Sequence, residues 1–343
     1  MKNLVEIQKK IVPDILKVME KRYIVLREIS LNEPVGRRIL SSKLGISERI
    51  IRSEVEFLKN SSFIDSSSSG MKLTEEGRKI LANLKDFINE IRGIKEVEHR
   101  LEKLLSIKKV IIVPGDSDED FSITKELGKA ASVDLIKIIE DNMTLGVTGG
   151  TTMLEFAKQF QEKKKYENTV VVPARGGLGE KLEIQANNIA SIIANKIGGG
   201  YRILHLPDNI NKELIETLKT QPDIKKSLEY IDNLDVIVFG IGRADEMARR
   251  RRMEDKQVEF IEGKKAVSEA FGHFFNEDGK IVYEASTIGI NLEQFKKMKH
   301  AFGIAGGKRK YKAIISISKI NPNLTLVIDE GCANEIINYF DNK

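Results

Sequence analysis

Two spacings of apolar residues divide the chain. Up to about Leu105 they recur three and four positions apart, as on amphipathic helices; after Lys109 they gather into short, nearly continuous runs. In the first part Ile7, Ile11, Ile15, Val18 and Met19 keep helical spacing, and Ile24, Val25 and Ile29 continue it before Pro34. The stretch VGRRILSSKLGISERIIRSEVEFLKN follows. It predicts a short helix from Arg37 to Lys43 with Ile39, Leu40 and Leu44 inward, ended by Gly45 in a left-handed turn. The Ser47 hydroxyl is placed to cap a second helix by accepting from a free backbone N–H. On that helix Ile51, Val55 and Leu58 share one face, and Arg49, Arg52, Ser53 and Glu56 the opposite one. Helix, glycine turn, capped helix is the helix-turn-helix plan. FIDSSSSGMKL then offers two apolar runs around a Ser/Gly turn, which suits a β-hairpin wing. Thr74 caps the next helix, with Glu75 and Glu76 in its first turn where the helix dipole favours acids.

From Ile80 the spacing is 4-3-4-3 through Leu84, Phe87, Ile91 and Ile94, with Leu101 and Leu105 beyond and Glu98 interrupting the seam. This predicts a coiled-coil-like linker helix that pairs two subunits, the alternative being that the face packs on its own C-terminal domain. The later runs are VIIVPG, MTLGVTGG, TVVVPARGG, YRILHLP, DVIVFGIG and LTLVIDEG, separated by helical segments. Strands buried on both faces read this way, so the fold class is α/β, with a Rossmann-like open parallel sheet after a winged helix-turn-helix. The stretch from Val267 to Tyr283 breaks the alternation and is read as a hairpin inserted at the sheet edge.

Composition narrows the class. The 343 residues are 41% hydrophobic and 31% charged, as in ordinary globular proteins. No apolar run approaches the roughly 20 residues of a membrane span, and the N-terminus lacks a signal-peptide core, so a cytoplasmic protein with no membrane partner is expected. The single cysteine, Cys332, excludes an internal disulfide and a cysteine zinc site. The net charge of +5 is unevenly placed: residues 1–105 hold 21 Lys and Arg against 16 Asp and Glu, and the remainder 35 against 35. The basic excess sits where the helix-turn-helix would meet a polyanion.

In open α/β sheets ligands bind beyond the carboxyl ends of the strands. After the second run come Gly149, Gly150, Thr151 and Thr152, a pattern that lets an anion approach backbone N–H groups at a helix N-terminus, with hydroxyls beside it. The lysine of a nucleotide-binding P-loop is absent, which argues against a nucleoside triphosphate. After the third run comes Arg175-Gly176-Gly177, after the fifth Gly240-Ile241-Gly242 and a helix reaching Arg249 to Arg252, and late in the chain AGGKRK with Lys308, Arg309 and Lys310. FGIG lacks the third glycine of a dinucleotide fingerprint. Glycines with cations at several strand ends suit a ligand with more than one phosphate. His99, His205, His273 and His300, the last placed in a helix, form no metal-ligand pair and no triad pattern, so no catalytic residue, metal or cofactor is expected. A carboxylate base is available in Asp245 or Glu269, which keeps a sugar-phosphate enzyme with a regulatory N-terminal domain as the alternative.

The helix-turn-helix with wing, the helical linker, and VTGGTTM, VPARGG, LHLP, FGIGRAD and AGGKRKYKAI together resemble the sugar-binding transcriptional regulators of the SorC/DeoR type over essentially the whole length. The effector half of that family is similar to sugar-phosphate isomerases and deaminases. The resemblance implies a repressor of an operon for the triose-phosphate part of glycolysis, relieved by fructose 1,6-bisphosphate. It implies a phosphate cradle at Gly149, Gly150, Thr151 and Thr152, phosphate contacts from Arg175, Gln185, Arg250 and Lys310, and contacts to sugar hydroxyls from Glu269. Between Arg250 and its neighbour Arg251 the sequence leaves open which faces the ligand. The expected domains are a DNA-binding domain over 1–75, a linker and dimerisation helix over 76–106, and an effector-binding domain over 107–343. The expected partner is double-stranded operator DNA, bound by a homodimer or a tetramer. Arg49, Arg52 and Ser53 are expected to meet base edges or phosphates in the major groove, and Arg37, Arg38 and Lys43 backbone phosphates, with Ser47 counted among the DNA-binding residues.

Overall fold

The computed structural model describes residues 7–343 apart from 9, 161–164, 179–180 and 207–211, and the chain divides into two units between Val97 and Glu98. In the first unit α1 (Pro13–Asn32) precedes α2 (Arg37–Leu44) and α3 (Glu48–Asn60). Gly45 ends α2 at φ 62°, and its N–H donates to the Ser41 carbonyl. The wing is the antiparallel hairpin β1 (Ile64–Ser67) and β2 (Gly70–Leu73), with Ile64 opposite Leu73. Leu26, Ile29, Leu40, Ile51, Leu58, Ile64 and Met71 form one core, so the helix pair and the wing are packed as a single winged helix-turn-helix. Two details depart from expectation. Ser47 stands at the N-cap of α3, but its hydroxyl makes no capping bond. Ile39, read as inward, is 54% exposed.

The seam from Ile80 to Leu105 is not one helix. It is α4 (Glu75–Ile91), capped by the Thr74 hydroxyl accepting from the Gly77 N–H at 2.9 Å, and α5 (Ile94–Leu105). Gly93, at φ 66°, separates them. A left-handed residue at this point ends the hydrogen-bond ladder whatever the heptad pattern asks. In the second unit Leu101 and Leu105 are buried, and the two glutamates beside them turn to the adjacent strand, β3 (Lys109–Val113). Glu98 accepts from the Ile112 N–H at 2.8 Å, and Glu102 from the Val110 N–H at 3.0 Å. β3 is a sheet edge, whose outward N–H groups would otherwise lack acceptors. The residue that broke the pairing pattern is thus an edge cap within the chain.

The second unit continues with α6 (Ile123–Leu135), β4 (Thr144–Val147), α7 (Thr151–Gln159), β5 (Val170–Pro173), α8 (Ala186–Ile197) and β6 (Gly200–Tyr201). Then come α9 (Lys212–Lys219), α10 (Pro222–Asp232), β7 (Val236–Gly240), β8 (Gly242–Arg243), α11 (Ala244–Arg250) and α12 (Asp255–Gly263). The strands β9 (Ala266–Ala270), β10 (His273–Asn276) and β11 (Ile281–Glu284) precede α13 (Leu292–Lys297), β12 (His300–Ile304), α14 (Tyr311–Ser318), β13 (Leu324–Asp329) and α15 (Glu330–Asp341). Among the described residues the main sheet is parallel, in the order β3-β13-β12-β7-β4-β5-β6. Both faces are covered, and every residue of β13 is buried. From β4 the chain steps outward to β5 and β6; from β7 it steps the other way to β12 and β13. The direction reverses between β4 and β7, and a crevice opens at their carboxyl ends.

Three sequence expectations change here. His300 begins the central strand β12 and is not in a helix. The glycine in HAFGI hid that strand; Gly303 is wedged so closely that a Cβ there would lie 3.2 Å from Ile241 and 3.3 Å from Leu324. Among the described residues of YRILHLP, Tyr201 alone is paired in the ladder, and the Arg202 N–H donates to the Val171 carbonyl at 3.0 Å. The stretch from Val267 to Tyr283 is no hairpin at the main sheet's edge: with β8 it makes a separate antiparallel sheet, β11-β10-β9-β8.

Candidate functional site

The crevice between the ends of β4 and β7 is an open-mouthed cleft, placed where ligands bind in open α/β sheets. Gly149, Gly150, Thr151, Thr152, Arg175, Gln185, Arg250, Glu269 and Lys310 all line it. Residues from six separate segments of the sequence therefore meet in one place.

The two glycines have different tasks. A Cβ on Gly149 would sit 2.7 Å from the Ile184 carbonyl oxygen, and Gly150 lies at φ 127°, where side chains are strained. The Gly150 N–H donates to that same carbonyl at 2.8 Å. The turn thereby aims the start of α7 into the cleft, where the first-turn N–H groups of Thr151, Thr152 and Met153 have no partner in the helix. Free N–H groups at the positive end of a helix attract an anion.

Arg175, just past β5, is held where the chain leaving the second sheet crosses it. The Gly176 N–H donates to Ile288 at 3.0 Å, and the Ile290 N–H to Ala174 at 2.8 Å. Arg175 and Arg251 both pair with Glu269 of β9, at 3.0 and 2.7 Å, and all three are buried. The Gly272 N–H adds a third bond to the same carboxylate oxygen at 2.8 Å. Burial pushes the Glu269 carboxyl up, but the two guanidinium charges and these hydrogen bonds outweigh it and hold the pKa at about 2. The group is a fixed anion.

The four-arginine run is now sorted. Arg249 is exposed and lies 3.5 Å from Asp245. Arg250 lines the cleft, and Arg251 is turned into the Glu269 pair and is not among the lining residues. Arg252 is exposed, at φ 52°. Burial, and then the charge of Arg175, lower the Arg250 pKa; burial lowers that of Lys310. Among the described residues neither Arg250 nor Lys310 has a carboxylate within ion-pair distance. Glu246, which sequence reasoning missed, also lines the cleft; its charge acts on both, and for Lys310 it is the foremost charge. It stands four residues before Arg250 on α11, a spacing that places the two on one helix face.

In the first unit Arg37, Arg38, Arg49, Arg52 and Ser53 are exposed, and a groove between the starts of α2 and α3 is lined by Arg37, Arg38, Ile39, Glu48, Arg49 and Arg52. Lys43 is exposed too, and its ammonium is held 2.7 Å from Asn32 and 3.1 Å from Glu28 of α1. The inner face of α3 is fixed by Glu54, which pairs with Lys21 at 2.7 Å and Arg22 at 3.1 Å, while Arg22 stacks 3.4 Å from the centre of the Phe57 ring. The outward face is left to Arg49, Arg52 and Ser53.

A basic winged helix-turn-helix in one chain with a cation-lined α/β cleft defines a DNA-binding regulator that carries a ligand-binding domain. The sugar-binding domain family matches residues 89–338, and the CggR N-terminal DNA binding domain matches 18–88. The central glycolytic genes regulator of Priestia megaterium is 40% identical over 99% of this chain and 100% of its own length, and that of Bacillus subtilis 39% over 98% and 99%. A SorC family transcriptional regulator from Enterococcus faecalis superposes with TM-score 0.66 at 37% identity, over 71% of this chain and 99% of that one. The full-length sorbitol operon regulator SorC of Klebsiella pneumoniae, 14% identical, shares the fold over 93% of this chain and 97% of its own, with TM-score 0.64. The chain belongs to the SorC/DeoR-type sugar-binding transcriptional regulators. It is a DNA-binding regulator of transcription and not an enzyme. No helix among the described residues is long and apolar enough to cross a membrane.

Proposed function

We propose that this protein represses a glycolytic operon for triose-phosphate enzymes, and that fructose 1,6-bisphosphate bound in the cleft lowers its affinity for the operator. The observation that carries the ligand class is the pair of cleft cations without carboxylate partners, Arg250 and Lys310, set with the free N–H groups at the start of α7. Charge left unpaired in a partly buried site is costly until a counter-ion arrives. The donors come from different strand ends, which suits two phosphates better than one. The fixed carboxylate of Glu269 suits hydroxyl groups between them, since it can only accept. The choice of genes is supported by the names of the relatives at 40% and 39% identity.

The mechanism follows from linkage. If the bisphosphate binds the DNA-incompetent arrangement more tightly, operator affinity falls by the same factor. We further propose a homodimer, or a pair of dimers, reading two half-sites. The test is fluorescence anisotropy of a labelled operator, titrated with fructose 1,6-bisphosphate and separately with fructose 6-phosphate. Weakening by the bisphosphate alone supports the reading. Operator binding that ignores both sugars would assign the cleft another ligand. On the DNA side, Arg49→Ala and Arg52→Ala should each weaken operator binding by about 1–3 kcal/mol if the side chain meets a base edge. A residue meeting only phosphate should instead lower the salt slope by about one unit, equally for operator and unrelated DNA.

A further inference from the structure

Lys310 is the last residue of a turn, Gly306 to Lys310, that carries three successive cations, and only the third faces the cleft. The other two are held by acids from the loop after β3. Lys308 lies 2.9 Å from Glu119 and 3.7 Å from Asp116. Arg309 donates to Asp118 twice, from its guanidinium at 2.8 Å and from its backbone N–H at 3.0 Å. Beneath them the buried carboxylate of Asp329 accepts from the Gly307 N–H at 2.6 Å, and from the Ser117 N–H and hydroxyl at 2.8 and 2.7 Å. Its other oxygen accepts from the Cys332 N–H at 2.9 Å. The turn is pressed against these side chains: a Cβ on Gly307 would lie 2.6 Å from the Asp118 carboxylate, and one on Gly306 would lie 2.4 Å from the Ser117 hydroxyl.

Three adjacent cations repel one another, and an untethered turn would sample conformers in which any of them faces the cleft. Pinning two of them leaves one geometry for the third. We propose that Asp118, supported by Asp116 and Asp329, is a positioning residue for ligand binding: it holds the turn so that the Lys310 ammonium is presented to a phosphate. None of the three acids is among the cleft-lining residues, so their effect passes through Lys310. The proposal rests on the sugar-phosphate reading of the cleft.

The experiment is a double-mutant cycle on the full chain, with the affinity for fructose 1,6-bisphosphate measured by calorimetry for the wild type, Asp118→Ala, Lys310→Ala and the double variant. Asp118→Ala should weaken binding about tenfold in the wild-type background and not at all once Lys310 is gone, because coupled residues fail to add. Arg309→Ala should reproduce the loss, and it replaces Asp118→Ala should that variant fail to fold. An Asp118→Ala effect that persists without Lys310 overturns the proposal, since the loop would then act elsewhere. So does a Lys310→Ala variant that binds normally while Arg250→Ala does not; the cleft would remain a sugar-phosphate site with Lys310 outside it. Failure of the wild type to bind any sugar phosphate would remove the functional reading and this inference together.

Discussion

Replacing Glu269 with alanine should destabilise the C-terminal unit by about 3–5 kcal/mol, the range for removing one partner of a buried ion pair. The loss is large because Arg175 and Arg251 would both remain buried with their shared carboxylate gone. Urea unfolding followed by circular dichroism checks it. A shift under 1 kcal/mol would mean that water reaches the two guanidinium groups. Adding Arg251→Met should recover part of the loss, since one uncompensated charge is then removed. The same carboxylate sets a pH dependence. Its folded pKa of about 2 lies below the ordinary 4.5, so its contribution is complete at neutral pH. It is lost as pH falls from about 5 toward 2, because protonation then favours the unfolded chain. The wild type should lose stability across that window more steeply than Glu269→Ala.

Arg250→Ala should weaken fructose 1,6-bisphosphate binding about a hundredfold, as expected for losing a charge-assisted guanidinium–phosphate contact. Operator binding without effector should be unchanged, so the variant would stay on DNA at bisphosphate concentrations that release the wild type. Arg249→Ala is the internal control: its side chain is exposed and paired with Asp245, and its removal should leave the affinity within about twofold. Calorimetry on both variants reads the difference. Equal losses would show that charge in the run matters and the direction of each arginine does not.

Much of this is legible in the sequence. The alternation of Arg49, Arg52 and Ser53 against Ile51, Val55 and Leu58 is a property of helical pitch, and the burial of the second set follows from it. Gly45 and the Thr74 cap are equally local, since each is settled by a residue's own backbone preference or by a hydroxyl three positions from its donor. GGTT was legible for the same reason: a strand that ends in glycines before a helix fixes where the helix N-terminus points.

What the sequence alone determined, then, were features carried by neighbours along the chain: the helix-turn-helix, the run of parallel strands, the cradle and the pool of cations beyond the strand ends. The tertiary structure decided which of those cations are free. Arg250 and Arg251 are adjacent and chemically identical, and the position of Glu269 on β9 separates them. Lys43 is exposed by pattern, yet Glu28 and Asn32 claim it. Glu98 broke a heptad, and only the order of strands shows that it caps β3. A charge is paired or unpaired according to what lies a few ångströms away, and those neighbours can be any number of residues distant in the chain.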